Sequence, residues 1–245
     1  MSTALKAANE KGEDMNSIKK QARVAGLLYV LACITAPFSL IYVPRTLLVP
    51  GDATATANHV RAAETLLRMG IASELIVSIF LIFAVLALYR LFKGVNEKHA
   101  LAMLTLLLVS VPISLLNVLN EIAALILVSG ADFLSVFDKR QLDALVLLFL
   151  RLHGQGLFVA AIFWGLWLFP FGILVIRSGF IPRVLGVFLI LAGFPYLVSA
   201  FTTLVLPQYA HLSRFLTVFE AGELPMLLWL LIWGAKVQQI DAPAS

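Results

Sequence analysis

Charged residues and cysteine are both scarce in this chain, and each scarcity excludes a class of protein. Only 13% of the 245 residues are charged and 61% are hydrophobic, against about 25% and about 45–50% in soluble domains. A globular core of this length cannot hide so much apolar surface, so the composition predicts lipid as the solvent. The single cysteine, Cys33, has no partner in the chain, which excludes an internal disulfide and a thiolate metal site.

Recognisable catalytic motifs are missing as well. The sequence contains no Walker loop, no nucleotide-binding glycine fingerprint, no nucleophile elbow and no HExxH. His153 is the only histidine inside an apolar segment, which argues against a haem held by two histidines and against a three-histidine zinc hydrolase. The sequence therefore leaves the cofactor unknown, and it leaves open whether a carboxylate pair holds a metal. The basic residues flank apolar segments and form no stripe, so no nucleic-acid partner is predicted.

Long apolar segments are what the chain has in abundance. Six of them pass the length test of roughly 17–25 residues for crossing a bilayer. They lie at about 24–43, 71–92, 100–128, 145–176, 184–206 and 215–233. The pattern predicts an all-α, polytopic membrane protein with a six-helix transmembrane domain over residues 23–236. Residues 1–22 are predicted to be a disordered cytoplasmic tail, and residues 237–245 a second cytoplasmic tail.

Local signals refine the boundaries of these segments. Pro37 and Pro170 predict kinks in the first and fourth crossings. Asp52 or Thr54 is expected to cap a helix that precedes the second crossing.

The distribution of basic residues predicts the orientation. Eleven of the 18 lysines and arginines fall in the N-terminal tail, the second and fourth connections and the C-terminal tail. The opposite side holds the other seven, two of which lie at or inside the membrane boundary. The positive-inside rule therefore predicts that both termini are cytoplasmic.

Polar residues inside the crossings mark the candidate site. Intramembrane carboxylates, amides and imidazoles are expensive to bury and are expected to find protein partners or a wet cavity. With antiparallel crossings, they are all expected near the outer membrane boundary. The candidate ligand-binding residues are Glu74, Asn117, Asn120, Glu121, Arg151, His153, Glu220 and Glu223.

Each candidate also has a structural explanation. Glu121 and Arg151 are equally well explained as an ion pair that locks two helices. Asn117 and Asn120 are more often hydrogen-bonding contacts between helices than ligands, and His153 more often satisfies a neighbour than binds a metal. The pair Glu220 and Glu223 is the hardest to explain as structural, because two nearby carboxylates repel each other.

Several short motifs resemble one bacterial family of multi-pass membrane proteins, the domain of unknown function 4386. The similarity is carried by Arg23–Tyr29 (RVAGLLY), Leu48–Asp52 (LVPGD), Ser129–Asp132 (SGAD), Leu152–Gly154 (LHG), Arg177–Gly186 (RSGFIPRVLG) and Gly222–Glu223. The resemblance implies a bacterial inner-membrane protein and no particular chemistry. It carries over His153 and Glu223 as site residues. Glu74 departs from the family, which often has Asp at this position.

Three functions remain open at the level of sequence. The first is a protein that binds or transports a cation or small polar molecule through the acidic groups. The second is a structural or regulatory membrane subunit whose polar groups only lock helices together. The third is an intramembrane enzyme that acts on a lipid or quinone-like substrate, with His153 as acid or base. In each case the lipid bilayer is the expected surrounding partner.

Overall fold

The fold is built from helices alone in the part of the chain that can be described. The computed structural model of the protein describes residues 2–209 and 221–234, with side chains from residue 19 onward except at 207 and 221. In chain order its α-helices are α1 (Ser2–Pro37), α2 (Val43–Leu47), α3 (Ala53–Ala62), α4 (Glu64–Phe92), α5 (Glu97–Val128), α6 (Lys139–Leu166), α7 (Leu168–Ser178), α8 (Arg183–Leu204) and α9 (Leu224–Ile232). Short π- or 3-10-helical segments occupy Phe38–Tyr42, Asp132–Val136, Pro207–Tyr209 and Ala221–Glu223.

Five helical spans within these ranges are long and apolar enough to cross a membrane, as a multi-pass membrane protein requires. They are Lys19–Leu47, Glu64–Phe92, Glu97–Val128, Lys139–Ser178 and Arg183–Leu204. The predicted sixth crossing, at 215–233, is described only from residue 221 onward. The count of six and the cytoplasmic termini therefore stay predictions. At the other end, α1 begins at Ser2, inside the segment predicted to be a disordered tail, where Ala, Lys and Glu favour a helix locally.

Two prolines interrupt the long spans where the sequence predicts kinks. After Pro37 the helix widens into the π-helical segment Phe38–Tyr42, and the fourth span breaks at Trp167 before α7 begins. Pro170 lies in the first turn of α7, where its missing N–H leaves no helical hydrogen bond unmade. The break thus divides the fourth span into α6 and α7.

The connection between the first two spans is ordered by a helix cap and an ion pair. The Asp52 side chain accepts a hydrogen bond from the N–H of Ala55 at 2.8 Å, which starts α3. Arg61 of α3 then reaches Asp143 of α6 at 2.6 Å, and Lys139 reaches the other oxygen of that carboxylate at 2.8 Å. Asp143 is almost fully buried, so these contacts hold α3 against the end of α6.

Two apolar clusters fill the interior, one toward each end of the bundle. One contains Phe92 of α4, Met103 of α5 and Phe171 of α7. The other contains Leu67 of α4 and Leu125 of α5, with Val146 of α6. On α4 and on α5, the polar candidate residues lie between the residues that belong to the first cluster and those that belong to the second.

Large apolar side chains also cover the outside of the bundle. Among the most exposed are Ile79, Leu116, Leu119, Leu191 and Phe194, each with about half or more of its surface exposed. Such a surface suits hydrocarbon, where exposed apolar groups carry no penalty.

Candidate functional site

Three charged or ionisable side chains converge where α4, α5 and α6 meet. Glu74 comes from α4, Glu121 from α5 and His153 from α6. Nε2 of His153 lies 3.2 Å from Oε1 of Glu74 and 4.0 Å from Oε1 of Glu121. One ligand atom from each of the three side chains lies within 4.8 Å of the other two. We call these three residues the triad.

The triad is enclosed, and it leaves polar atoms unsatisfied. Glu74, Glu121 and His153 are only 7%, 3% and 4% exposed. Oε1 of Glu74, Oε2 of Glu121 and Nε2 of His153 are buried and have no hydrogen-bond partner among the described residues. Buried polar groups are nearly always satisfied in native proteins. Two of these atoms, Oε1 of Glu74 and Nε2 of His153, lie 3.2 Å apart and can satisfy each other when Nε2 carries a proton, whereas Oε2 of Glu121 has no such neighbour among the ion pairs of the described residues.

The second nitrogen of His153 faces away from the carboxylates. Nδ1 lies 3.4 Å from the backbone oxygen of Asn117 and 3.3 Å from the Asn117 side-chain nitrogen. In the tautomer that carries its proton on Nδ1, the N–H points at that carbonyl oxygen, and the lone pair of Nε2 points toward the acids. A backbone carbonyl behind the imidazole is a common arrangement for histidines that bind a metal.

Both predicted amides lie beside the triad but point elsewhere. The Asn117 side chain donates a hydrogen bond to the backbone oxygen of His153 at 2.8 Å. Asn120 donates to the side-chain oxygen of Asn117 at 3.0 Å. These bonds join α5 to α6, so the amides act here as contacts between helices that position the imidazole.

Two internal cavities meet at the triad. One, of about 270 Å³, is lined by Glu121 and His153 and by apolar residues that include Leu47 and Leu48 at the end of α2. A smaller one, of about 40 Å³, is lined by Glu74, with Ser78 and Ser114 on its polar side. The two share Leu40 and Leu157 in their walls. The triad is therefore reached from an interior space that runs toward the α2 end of the bundle.

Glu223 is not part of the triad, which corrects the expectation of one common site. Its carboxylate accepts hydrogen bonds from the hydroxyls of Tyr29 and Tyr196, the latter at 2.9 Å. These groups line a third cavity, of about 220 Å³. Glu223 precedes α9 and packs beside α1 and α8, which contribute no member of the triad.

Arg151 is also separate from the triad, and the expected ion pair with Glu121 is absent. Arg151 is exposed and forms no ion pair with any described residue. It is two residues from His153, which is about 200° around a helix, so only one of the two can face the interior. Glu220 lies outside the described residues, and its prediction is untested.

The sequence interpretation missed several residues that the structure places beside the candidates. Tyr29 and Tyr196 partner Glu223, and Trp164 lines the wall shared by two cavities. A tyrosine in the middle of an apolar crossing is a usable signal, because its hydroxyl needs a hydrogen-bond partner when buried. The ion pair between Arg61 and Asp143 gave no such signal, since both residues lie in polar stretches.

The comparisons with known proteins identify a family. A family model described as a domain of unknown function (DUF4386) matches residues 24–234. The chain belongs to the DUF4386 family. Its match includes four of the five candidate crossings in full, the first from residue 24 onward, and the three residues of the triad. Neither a curated protein nor a solved structure matches this DUF4386 chain.

Proposed function

We propose that this DUF4386 protein binds a divalent transition-metal cation at the triad of Glu74, Glu121 and His153. The observation that carries the proposal is the convergence of three buried side chains, each with one ligand atom within 4.8 Å of the other two and each with a polar atom that makes no hydrogen bond to the described residues. Bonds of about 2.0–2.2 Å at tetrahedral angles place neighbouring ligand atoms about 3.3–3.6 Å apart. The separations of 3.2 Å and 4.0 Å from Nε2 of His153 lie close to that range, so the triad needs only a small adjustment to hold one ion.

The donor set favours some cations over others. Two carboxylates and one imidazole suit Zn²⁺, Mn²⁺ or Fe²⁺, whereas Mg²⁺ and Ca²⁺ prefer oxygen ligands alone. The ion's two positive charges would also offset two carboxylates that form no ion pair with a lysine or arginine among the described residues. Three protein ligands leave a coordination position open, and the cavity of about 270 Å³ beside Glu121 and His153 offers room for a water molecule there.

The test is direct metal binding to the purified full chain in detergent. Isothermal titration with Zn²⁺ and Mn²⁺ is expected to give one site per chain, with Mg²⁺ and Ca²⁺ much weaker. Co²⁺ is the spectroscopic probe, because its visible absorption reports a nitrogen and oxygen coordination shell. Loss of His153 in His153→Asn should weaken binding by more than the roughly 10–100-fold that loss of an outer-shell partner costs.

Glu97→Gln is the matched control for Glu121→Gln. Both residues lie on α5, but Glu97 is in its first turn, far from the triad. The control should bind the metal as the wild type does, and Glu121→Gln should not. Binding that is absent for every divalent ion, or unchanged in His153→Asn, would overturn the proposal.

A structural role is the second candidate, and the amides favour it. Asn117 and Asn120 make hydrogen bonds that join α5 to α6. If the triad only locks helices, Glu121→Gln should lower the melting temperature by the same amount with and without metal. If the triad binds a metal, the variant should mainly lose the stabilisation that the metal adds.

We also infer the setting in which the site works. The charge distribution and the family resemblance support a bacterial inner membrane, a sixth crossing at 215–233 and cytoplasmic termini. In that orientation the α2 end of the bundle faces outward, and the cavity beside the triad is nearer the outer surface. A cation would then reach the triad from outside the cell.

A further inference from the structure

The carboxylate of Glu223 lies at the third cavity, and no residue of the triad lines that cavity. Its two oxygens accept hydrogen bonds from the hydroxyls of Tyr29 and Tyr196. Among the residues that the structure describes, no Lys, Arg or His lines the cavity of about 220 Å³ around it. Two neutral hydroxyls orient a carboxylate but do not neutralise it. A cation in the cavity would supply the missing charge.

The walls of this cavity are aromatic and aliphatic. Trp164 and Trp167 line it together with the two tyrosines, and Leu81 and Leu107 are among the aliphatic residues. Tyr29 packs edge-on against Trp167, with ring centroids 5.5 Å apart. Apart from Glu223 and the tyrosine hydroxyls, the lining offers few groups that could replace the hydration shell of an inorganic ion.

One further polar atom lies in this lining without a partner. Nε1 of Trp164 is buried and has no hydrogen-bond partner among the described residues. Indole N–H groups usually find an acceptor when they are buried. Trp164 borders both this cavity and the small one beside Glu74, so its N–H is available to a ligand in either.

These features select the class of ligand. A hydrated metal ion would lose its water ligands on entering the cavity and would gain only one carboxylate ligand. That single contact does not offset the free-energy cost of dehydration. An organic ammonium with apolar substituents loses little hydration, pairs with the carboxylate and gains contact with aromatic rings. Glu223 is half-buried, not sealed, so a ligand can reach it.

We propose that the cavity formed by Glu223, Tyr29, Tyr196, Trp164 and Trp167 binds a small lipophilic organic cation, with its charged group at Glu223. Such cations partition into the bilayer that surrounds this apolar bundle. The site uses none of the triad residues, so it does not depend on the proposed metal binding.

The experiment compares the binding of one organic cation with that of its uncharged isosteric analogue. Benzyltrimethylammonium and neopentylbenzene have the same shape, because they differ only by nitrogen in place of carbon. Each is titrated into the purified full chain, and binding is read from tryptophan fluorescence and from the melting temperature. The cation should bind at least about 10-fold more tightly, a difference of about 1.4 kcal/mol.

The variant Glu223→Gln should remove that preference. It keeps the size of the side chain and deletes its charge, so the affinity for the cation should fall about 10-fold while that for neopentylbenzene changes little. Glu97→Gln is the control carboxylate and should behave as the wild type. A melting temperature of Glu223→Gln close to that of the wild type, both measured without ligand, would show that the variant is folded.

Two results would overturn the proposal: equal affinity of the wild type for the two probes, and unchanged cation binding in Glu223→Gln. Should that variant fail to fold, the comparison of the two probes on the wild type decides alone. The variant Tyr29→Phe, which removes one of the two hydroxyls that donate to the Glu223 carboxylate, is then titrated with the same two probes. If the wild type binds benzyltrimethylammonium but not Zn²⁺, only the proposed metal site is contradicted. If it binds Zn²⁺ but shows no preference for the organic cation, only the proposed cation site is contradicted.

Discussion

Gly156 of α6 and Asn117 of α5 occupy one point of contact between their helices. A Cβ atom built on Gly156 would overlap the side-chain amide of Asn117. That amide is fixed by its bond to the backbone oxygen of His153, so it cannot simply turn away. The missing side chain therefore lets α5 and α6 approach closely enough for Glu121 and His153 to meet.

Replacement of Gly156 by alanine should destabilise the protein. Alanine has a better helix propensity by about 1 kcal/mol, but forcing an atom into a filled contact costs about 1–3 kcal/mol. We expect Gly156→Ala to lower the melting temperature in detergent and to weaken metal binding, because the overlap pushes Asn117 against His153.

Gly154→Ala is the matched control for this change. Gly154 lies two residues away in the same helix, and a Cβ there would meet nothing within 4 Å. Its substitution should leave the melting temperature unchanged or raise it slightly. Equal effects of the two substitutions would show that the close approach at Gly156 is unimportant.

The ion pair between Arg61 and Asp143 should contribute more to stability than the exposed pair of Arg68 and Glu64. Asp143 is 1% exposed and contacts Arg61 and Lys139, whereas Arg68 and Glu64 are 63% and 39% exposed. Hydrogen bonds to buried charges are worth about 1.5–3 kcal/mol, and exposed pairs about 0–1 kcal/mol. Arg61→Gln should therefore lower the melting temperature clearly, and Arg68→Gln hardly at all. A similar effect of both would mean that α3 is not held by Asp143.

Most of the described helices were predictable because their signals are local. Apolar length marks each of the five crossings, and the carboxylate of Asp52 caps α3 as the sequence predicts. The helix changes after Pro37 and just before Pro170, close to the two positions where the sequence predicts kinks. None of these inferences needs knowledge of which helices are neighbours.

The candidate site was predictable only in part, because it depends on helix rotation. Glu74, Glu121 and His153 do face one another, as their common depth suggested. Depth alone did not reveal that Arg151 points outward or that Glu223 has its own tyrosine partners. The rotation of each helix about its axis is determined by packing against neighbouring helices, such as the contact of Gly156 with Asn117. Such contacts between distant residues cannot be predicted from a single sequence.

The topology can be tested by labelling single cysteines. In a Cys33→Ser background, Gly94→Cys and Ser135→Cys lie in the connections on either side of α5, and both positions are exposed. A membrane-impermeant maleimide added to spheroplasts should label Ser135→Cys, and should label Gly94→Cys only after permeabilisation. The positive-inside rule is the physical reason.

The same method tests the sixth crossing. Gln238→Cys follows the last apolar segment of the sequence and should label as Gly94→Cys does. If it labels as Ser135→Cys does, the last segment does not cross the membrane, and the two termini are on opposite sides.

Substitutions at Glu74 can separate the effect of side-chain charge from that of side-chain length on metal binding at the triad. Glu74→Asp keeps the negative charge but withdraws the carboxylate by one methylene, and the cavity of about 40 Å³ beside it gives the helices room to adjust. Glu74→Gln keeps the length and removes the charge. Since the carboxylate is expected to be a metal ligand, Asp should weaken Zn²⁺ binding by less than about 10-fold and Gln by more than about 100-fold. The resemblance to the family, which often has Asp at this position, also favours a smaller effect of Asp than of Gln. If Gln binds Zn²⁺ better than Asp does when both are titrated calorimetrically, side-chain length matters more than charge at this position, and Glu74 acts as a packing residue beside the site.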